Sequence, residues 1–325
     1  MGSNCCKSTR VHVAEEPQMG ANDNFNLSKS ESDLTGAQRP YQWRMGELIG
    51  QGTAGKVYQA MDEETGHLLA VKIIKLDNNP FVAEKQFHSL SQEINLLKTL
   101  RHVHIVRYLQ TDIAIDERQV KILLEYVPGG SLYSILNKFG PLSQKVIKSY
   151  SYQIAKGLQY LHSHHVVHRD LKSPNVLVTD DAVIKLIDFG CSKKCEEGEI
   201  NISMNGSPYW MAPEVVLQQG HGFSSDIWSF GCLLIEMCTG KPPWSEHSKK
   251  AVDIIKLISI PGKLPKFPQG PPQLLDLITA CTNRDPERRP RADQILRHHF
   301  FSNVGESASF SLISKTSSFT WCEAK

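Results

Sequence analysis

The sequence predicts an α+β protein of two lobes, a small β-rich lobe carrying one helix and then a larger helical lobe. Three observations carry this expectation. Runs rich in β-branched and apolar residues, Glu47 to Ile49, Lys56 to Met61 and Leu68 to Ile74, fill the early chain and read as strands. One stretch with helical spacing, Ile94, Leu96, Leu97 and Leu100, interrupts them. After Gly129 and Gly130 the pattern turns helical, in Val146 to Leu161, in Ile227 to Cys238 and at the end in Pro290 to Phe301. At 325 residues and 40% hydrophobic content the chain has room for two cored lobes.

Taken in order, residues 1–40 are rich in Ser, Asn, Asp and Glu and lack apolar periodicity, so a disordered tail is expected there. The folded part is expected over 41–301, divided into a first lobe at 41–127 and a second at 128–301. Residues 302–325 return to Ser-rich polar sequence and read as a flexible tail. A net charge of +2 gives no strong field of one sign, which argues against nucleic-acid binding and against general adsorption to membranes. The apolar stretch from Ile227 to Cys238 is too short for a bilayer span and contains Ser229 and Glu236, so it reads as a buried core helix. Eight cysteines without regular spacing point to free thiols in a reducing compartment, and Cys191 and Cys195 lack the second pair a zinc site would need.

The chemistry-bearing residues begin with Gly50, Gly52 and Gly55, whose missing side chains would let backbone amides approach a triphosphate. In a dinucleotide-binding loop the same spacing would open a helix. Here Lys56 to Tyr58 continues as a strand, so a β-hairpin lid is expected. Lys72, in Ala70-Val71-Lys72-Ile73-Ile74, places a cation on an apolar strand, where it needs a buried partner; Glu93, beside the core residues Ile94 and Leu97, is the candidate. The run His168-Arg169-Asp170-Leu171-Lys172-Ser173-Pro174-Asn175 brings an acid, a cation and an amide into one loop between a helix and a strand. Asp170 suits a catalytic base, Lys172 a charge partner for a transferred phosphoryl group, and Asn175 a hard oxygen ligand. Asp188, after the apolar run Val183 to Ile187, supplies a second such ligand, which implies two magnesium ions. Asp226 and Arg289 read as structural charges, with Arg289 expected to pair with Glu214. Of the histidines, His168 is expected to be structural and to pack near Phe189. His162, His164 and His165, at a helix end, are expected to be solvated or capping rather than metal ligands.

These motifs, in this order and on these elements, resemble the eukaryotic protein kinase superfamily from about Trp43 to Phe301. The resemblance implies the bilobal kinase fold, ATP and magnesium as cofactors, and transfer of the γ-phosphoryl group to a protein hydroxyl. Nucleotide contacts would then come from Ile49, Gly50, Gln51, Gly52, Thr53, Ala54, Gly55, Lys56, Val57, Ala70, Lys72, Glu93 and Leu177, with the adenine edge on the backbone of Glu125 and Val127 behind Leu124. Lys172 and the stretch Gly206 to Glu214 are similar to serine/threonine kinases. Glu125 to Leu132, Gly157 to His162 and Pro208 to Glu214 resemble the mitogen-activated protein kinase kinase kinase branch, which implies a MAP kinase kinase as protein substrate. The runs Lys172-Ser173-Pro174-Asn175 and Val103-His104 depart from that branch's usual residues, and Ala54 stands where an aromatic residue is common. A pseudokinase scaffold is the competing reading, and intact Lys72, Asp170, Asn175 and Asp188 argue against it.

Regulation follows the same resemblance, and location follows the amino-terminal sequence. Ser203, three residues before Gly206, stands where related kinases carry an activating phosphate, Arg169 would receive that phosphate, and Ser207 would fix loop geometry. Gly2, in Met1-Gly2-Ser3-Asn4-Cys5-Cys6, resembles an N-myristoylation signal, although Cys6 stands where Ser or Thr is usual. The first forty residues carry a net charge of minus one, so Cys5 and Cys6 are the candidates for the second acyl anchor that stable residence requires. The expected location is cytoplasmic, at the inner face of a membrane.

Overall fold

The computed structural model describes residues 41–52, 55–114, 117–188, 193–194 and 208–302. Three strands open the chain, β1 (Trp43–Gly52), β2 (Gly55–Asp62) and β3 (Leu68–Lys75), followed after α1 (Pro80–Thr99) by β4 (Tyr108–Ala114) and β5 (Gln119–Glu125). The sheet is antiparallel in the order β1-β2-β3-β5-β4. Leu69 and Val71 of β3, two residues apart and so on one face of the sheet, form a small core of their own with Ala60 and Leu123. The strand β1 is longer than the run Glu47 to Ile49 suggested and reaches into the glycine-rich segment, where Gly52 pairs with Gly55 across the hairpin.

Helix α1 begins where Asn79 caps the amide of Phe81 and Pro80 occupies the first turn. It buries Ala83, Phe87, Leu90, Ile94 and Leu97, a spacing of alternating four and three residues that puts them on one face. That face sits against the sheet.

The second lobe contains α2 (Leu132–Phe139), α3 (Gln144–Ser163), α4 (Pro213–Val216), α5 (Phe223–Thr239), α6 (Ala251–Ser259), α7 (Pro272–Cys281) and α8 (Ala292–Leu296). Between α3 and α4 lie the short strands β6 (Val166–Val167), β7 (Val176–Val178), β8 (Ile184–Leu186) and β9 (Lys193–Lys194), paired β6 with β9 and β7 with β8. The α+β expectation of a β-rich lobe with one helix and a larger helical lobe is met. The terminal run Pro290 to Phe301 is less regular than its pattern suggested, with α8 followed by a 3-10 turn at His299–Phe301. Helix α5 is the lobe's axis, buried without a break from Ser225 to Met237, and with Trp228 and Trp244 it anchors the main core.

One close approach joins the lobes, and a second packs the start of the second lobe. The backbone of Leu186 in β8 bonds His104 and Val106, just before β4, at 2.9 and 3.0 Å. Past β5, Gly129 lies so near β7 that an added Cβ would sit 2.3 Å from the Val178 carbonyl oxygen. No helix among the described residues is long and apolar enough to cross a membrane.

Candidate active site

The site forms along the seam between the lobes, and its first member is the lysine of β3. Lys72 stands opposite Val57 and Ile122 in the sheet. Its Nζ lies 3.0 Å from Asp188 Oδ1 and 3.4 Å from Glu93 Oε1. Burial alone would lower the Lys72 pKa, but the charges of Glu93 and Asp188 outweigh it and raise the value, so the ammonium form holds. Burial lifts the Glu93 carboxyl, and Lys72 only partly offsets that. Asp188 is held below the usual carboxylate range despite its burial, because Lys72 stands closer to it and donates to it. Lys72 thus bridges the lobes, joining β3 to a residue 116 positions later.

The glycine-rich hairpin lies on the first lobe. Gly50 pairs with Val57 and Gln51 with Lys56, while Ile49 is half exposed. Gly55 must be glycine: its φ is +137° and a Cβ would meet the Ile73 carbonyl at 2.4 Å. Thr53 and Ala54 lie outside the described residues. Ala70 is buried on β3 opposite Leu124 of β5, and Leu177 sits half-buried on β7. The connecting segment is pinned by a pair the sequence did not announce. Glu125 Oε1 accepts from the Arg107 amide at 2.8 Å and from Lys185 Nζ on β8 at 2.7 Å, and Val127 follows in a buried position.

In the loop after β6, Asp170 gathers the groups expected around it. Lys172 Nζ lies 2.6 Å from Asp170 Oδ2. The side-chain amide of Asn175 donates to the Asp170 carbonyl at 2.8 Å and to Oδ2 at 3.1 Å, which leaves its carbonyl oxygen for a cation. Asp226 holds this loop from beneath. One oxygen accepts the His168 amide at 2.8 Å and the other the Arg169 amide at 2.9 Å, which secures Arg169 at a φ of +68° that costs a non-glycine residue about 1–3 kcal/mol. His162, expected to be solvated or capping, instead places Nε2 2.9 Å from Asp226 Oδ2. Tertiary packing overrides its place at a helix end. His168 is fully buried, as a structural residue should be, while Phe189, its expected neighbour, lies outside the described residues.

Arg169 points two nitrogen atoms, Nε and Nη2, into the interior with no hydrogen-bond partner among the described residues. It lines a cleft with Asp170, Trp210 and Met211. Nearby, Arg289 grips Glu214 with two bonds of 2.6 and 2.7 Å, the pair the sequence suggested. Gly2, Cys5, Cys6, Ser203 and Ser207 lie outside the described residues. A trio on the far side, Asp276, His298 and His299, has metal-ligand types, yet His298 Nδ1 accepts the Phe300 amide, so Nε2 carries the proton and is turned toward Asp276.

The donor set suits the nucleotide and metal that the motifs imply. A carboxylate at Asp188 and an amide oxygen at Asn175 are hard ligands fit for magnesium, and Gly50, Gly52 and Gly55 carry no side chain to block an approach to their backbone. Comparison with known proteins agrees. A family model described as the protein kinase domain matches residues 43–301. The chain is 41% identical over 285 residues to mitogen-activated protein kinase kinase kinase A of Dictyostelium discoideum, covering 86% of this chain and 30% of that protein. It is 45% identical over 286 residues to mitogen-activated protein kinase kinase kinase 2 of Arabidopsis thaliana, covering 85% and 43%. With mitogen-activated protein kinase kinase kinase 3 of Homo sapiens it shares 39% over 268 residues, covering 80% and 42%. The chain therefore spans less than half the length of these relatives. Since the family model runs from the first strand to the last turn and takes in every described residue of the seam, the chain belongs to the protein kinase domain family.

Proposed function

We propose that this chain is an ATP-dependent serine/threonine protein kinase of the mitogen-activated protein kinase kinase kinase branch, with a MAP kinase kinase as its protein substrate. The observation that carries the reading is the Asp170 cluster, in which one carboxylate is oriented by Asn175 and lies 2.6 Å from Lys172. Bound ATP with magnesium supplies the transferable γ-phosphoryl group and neutralises its charge. Asp170 accepts the proton of the attacking serine or threonine hydroxyl. Lys172 would offset negative charge at the reacting phosphoryl, Lys72 would hold the α and β phosphates, and Asn175 and Asp188 would hold the metal. With little covalent work for the protein to do, positioning and electrostatics supply the rate.

Branch and substrate rest on the relatives' names and on the sequence of the Glu125 to Leu132 and Pro208 to Glu214 segments. Activation by a phosphate on Ser203 is supported by the two nitrogens of Arg169 that lack a hydrogen-bond partner among the described residues and offer charge-assisted donors. Location at the cytoplasmic face of a membrane, through acylation of Gly2 with Cys5 or Cys6, rests on the amino-terminal sequence.

The deciding experiment incubates purified protein with labelled ATP, magnesium and casein, a basic protein or a kinase-dead MAP kinase kinase. Phosphoserine or phosphothreonine on the added protein is expected. Nucleotide binding without transfer to any of the three would establish the scaffold reading instead.

A further inference from the structure

Glu236 is a carboxylic acid on the buried axis of the second lobe, 1% exposed, in a helix otherwise apolar on all sides there. A lone acid in such a place is costly to keep. Its partners are neutral and come from two separate segments: Ser173 Oγ donates to Oε1 at 2.6 Å, and Trp210 Nε1 donates to Oε2 at 2.9 Å. Ser173 opens the 3-10 turn Ser173–Asn175, between the lysine that contacts Asp170 and the amide that orients it. Trp210 closes the 3-10 turn Pro208–Trp210, which leads into the Ala212-Pro213-Glu214 stretch and lines the same cleft as Asp170. A second bond from the same helix, Ser229 Oγ to the Trp210 carbonyl at 2.8 Å, fixes that turn's backbone.

We propose that Glu236 is a positioning residue, a buried clasp whose two oxygens hold the catalytic loop and the Trp210 turn in one register across the cleft they share, so that a protein hydroxyl entering that cleft arrives where Asp170 can take its proton. The inference rests on the kinase reading given above. Both bonds are strongest to the ionised carboxylate, because Trp210 can only donate and Ser173 need not turn round to accept. Burial pushes the Glu236 carboxyl up to about 7, against the pull of the Ser173 and Trp210 bonds. On its own helix Cys232 is pushed up by burial and by Glu236 and stays a thiol; from the packed turns Lys172 is engaged by Asp170. The clasp therefore tightens as pH rises through neutrality. Stability runs the other way, since a raised carboxyl value gives a contribution complete below the ordinary 4.5 and lost as pH rises through about 7.

That opposition separates positioning from support. Glu236→Gln removes the charge but keeps the volume, so its melting temperature at pH 8 should equal or exceed that of the wild type. Its kcat should fall about tenfold with KM for ATP unchanged and KM for the protein substrate raised. The Trp210 indole N–H resonance, assigned with Trp210→Phe, should titrate near pH 7 in the wild type and not in Glu236→Gln. This readout stands even if the wild type transfers no phosphate, a result that would fault the kinase reading alone. Ser173→Ala and Trp210→Phe open one arm each, and their effects on kcat should be less than additive. Unchanged kcat in Glu236→Gln, loss of activity only in step with loss of melting temperature, additive single-arm effects, or an indole resonance that does not titrate would each overturn the proposal.

Discussion

The charges at the seam act through distance. Lys72 at 3.0 Å from Asp188 and Lys172 at 2.6 Å from Asp170 leave no slack for substitution. Asp170→Asn and Lys72→Met should each reduce phosphotransfer below about a tenth of wild type, a loss of more than about 1.4 kcal/mol, while the purified proteins keep the wild-type circular dichroism. Activity above that level in steady-state assays would remove the assigned role. The groups proposed for catalysis stand out in the sequence because each sits in a short fixed-spacing motif. The direct contact of Lys72 with Asp188 does not, since 116 residues separate them and only the fold brings them together. His162 was misread for the same reason: its partner Asp226 lies 64 positions away. Glu236 had left a sign, a single acid in an apolar run. At this scale also belongs the phosphate switch. Ser203→Ala should hold the enzyme at low activity and resist activation by an upstream kinase, and an unphosphorylated preparation, verified by mass spectrometry, that matches the phosphorylated one would sink the idea.

Among the elements, α5 organises the site by what it carries on its buried faces. Asp226, near its start, props the catalytic loop, and Glu236, near its end, meets Ser173 and Trp210. The helix was readable from its apolar run, whereas its role as a platform was not, because polar groups in a core acquire meaning only through partners from other segments. Helix α1 shows the converse. Its last turns were visible in Ile94 to Leu100, but it starts at Pro80, signalled by the Asn79-Pro80 cap and by Ala83, Phe87 and Leu90 continuing the spacing. Short α4 is tied down by Glu214 to Arg289, whose side chain is wholly buried. Arg289→Ala should cost about 3–5 kcal/mol by leaving a carboxylate buried and unpaired, and Arg289→Lys should restore little, since an ammonium cannot make the two-pronged contact. Chemical denaturation of both variants measures this. If the lysine variant equals the wild type, the two-pronged geometry is not what holds the helix.

At the level of the whole molecule, two lobes share one seam, and the amino-terminal segment would decide where that seam works. One myristoyl chain gives a partition constant of about 10⁴ per molar, too weak for residence without a second acyl group. Gly2→Ala should therefore free the kinase from membranes completely and Cys5→Ser/Cys6→Ser in large part. Wild type recovered wholly in the soluble fraction, or Gly2→Ala still pelleting, would return the enzyme to the cytosol. The bilobal arrangement was legible from the change of pattern at Gly129 and Gly130, though not how tightly the chain packs on β7 at that point. There, Gly129 has backbone rather than side chain for its neighbour, with the carbonyl oxygens of Val178 and Thr179 at 2.3 and 3.1 Å from where a methyl would stand. Such a neighbour cannot swing aside. Gly129→Ala would act as a shim driven between β7 and the segment that follows β5, costing about 1–3 kcal/mol and lowering the melting temperature by several degrees without touching a catalytic group. A cell carrying that allele should signal normally in the cool and fall silent on warming, which would make one methyl group a thermostat for the pathway; equal melting temperatures for the two proteins would deny geneticists that tool.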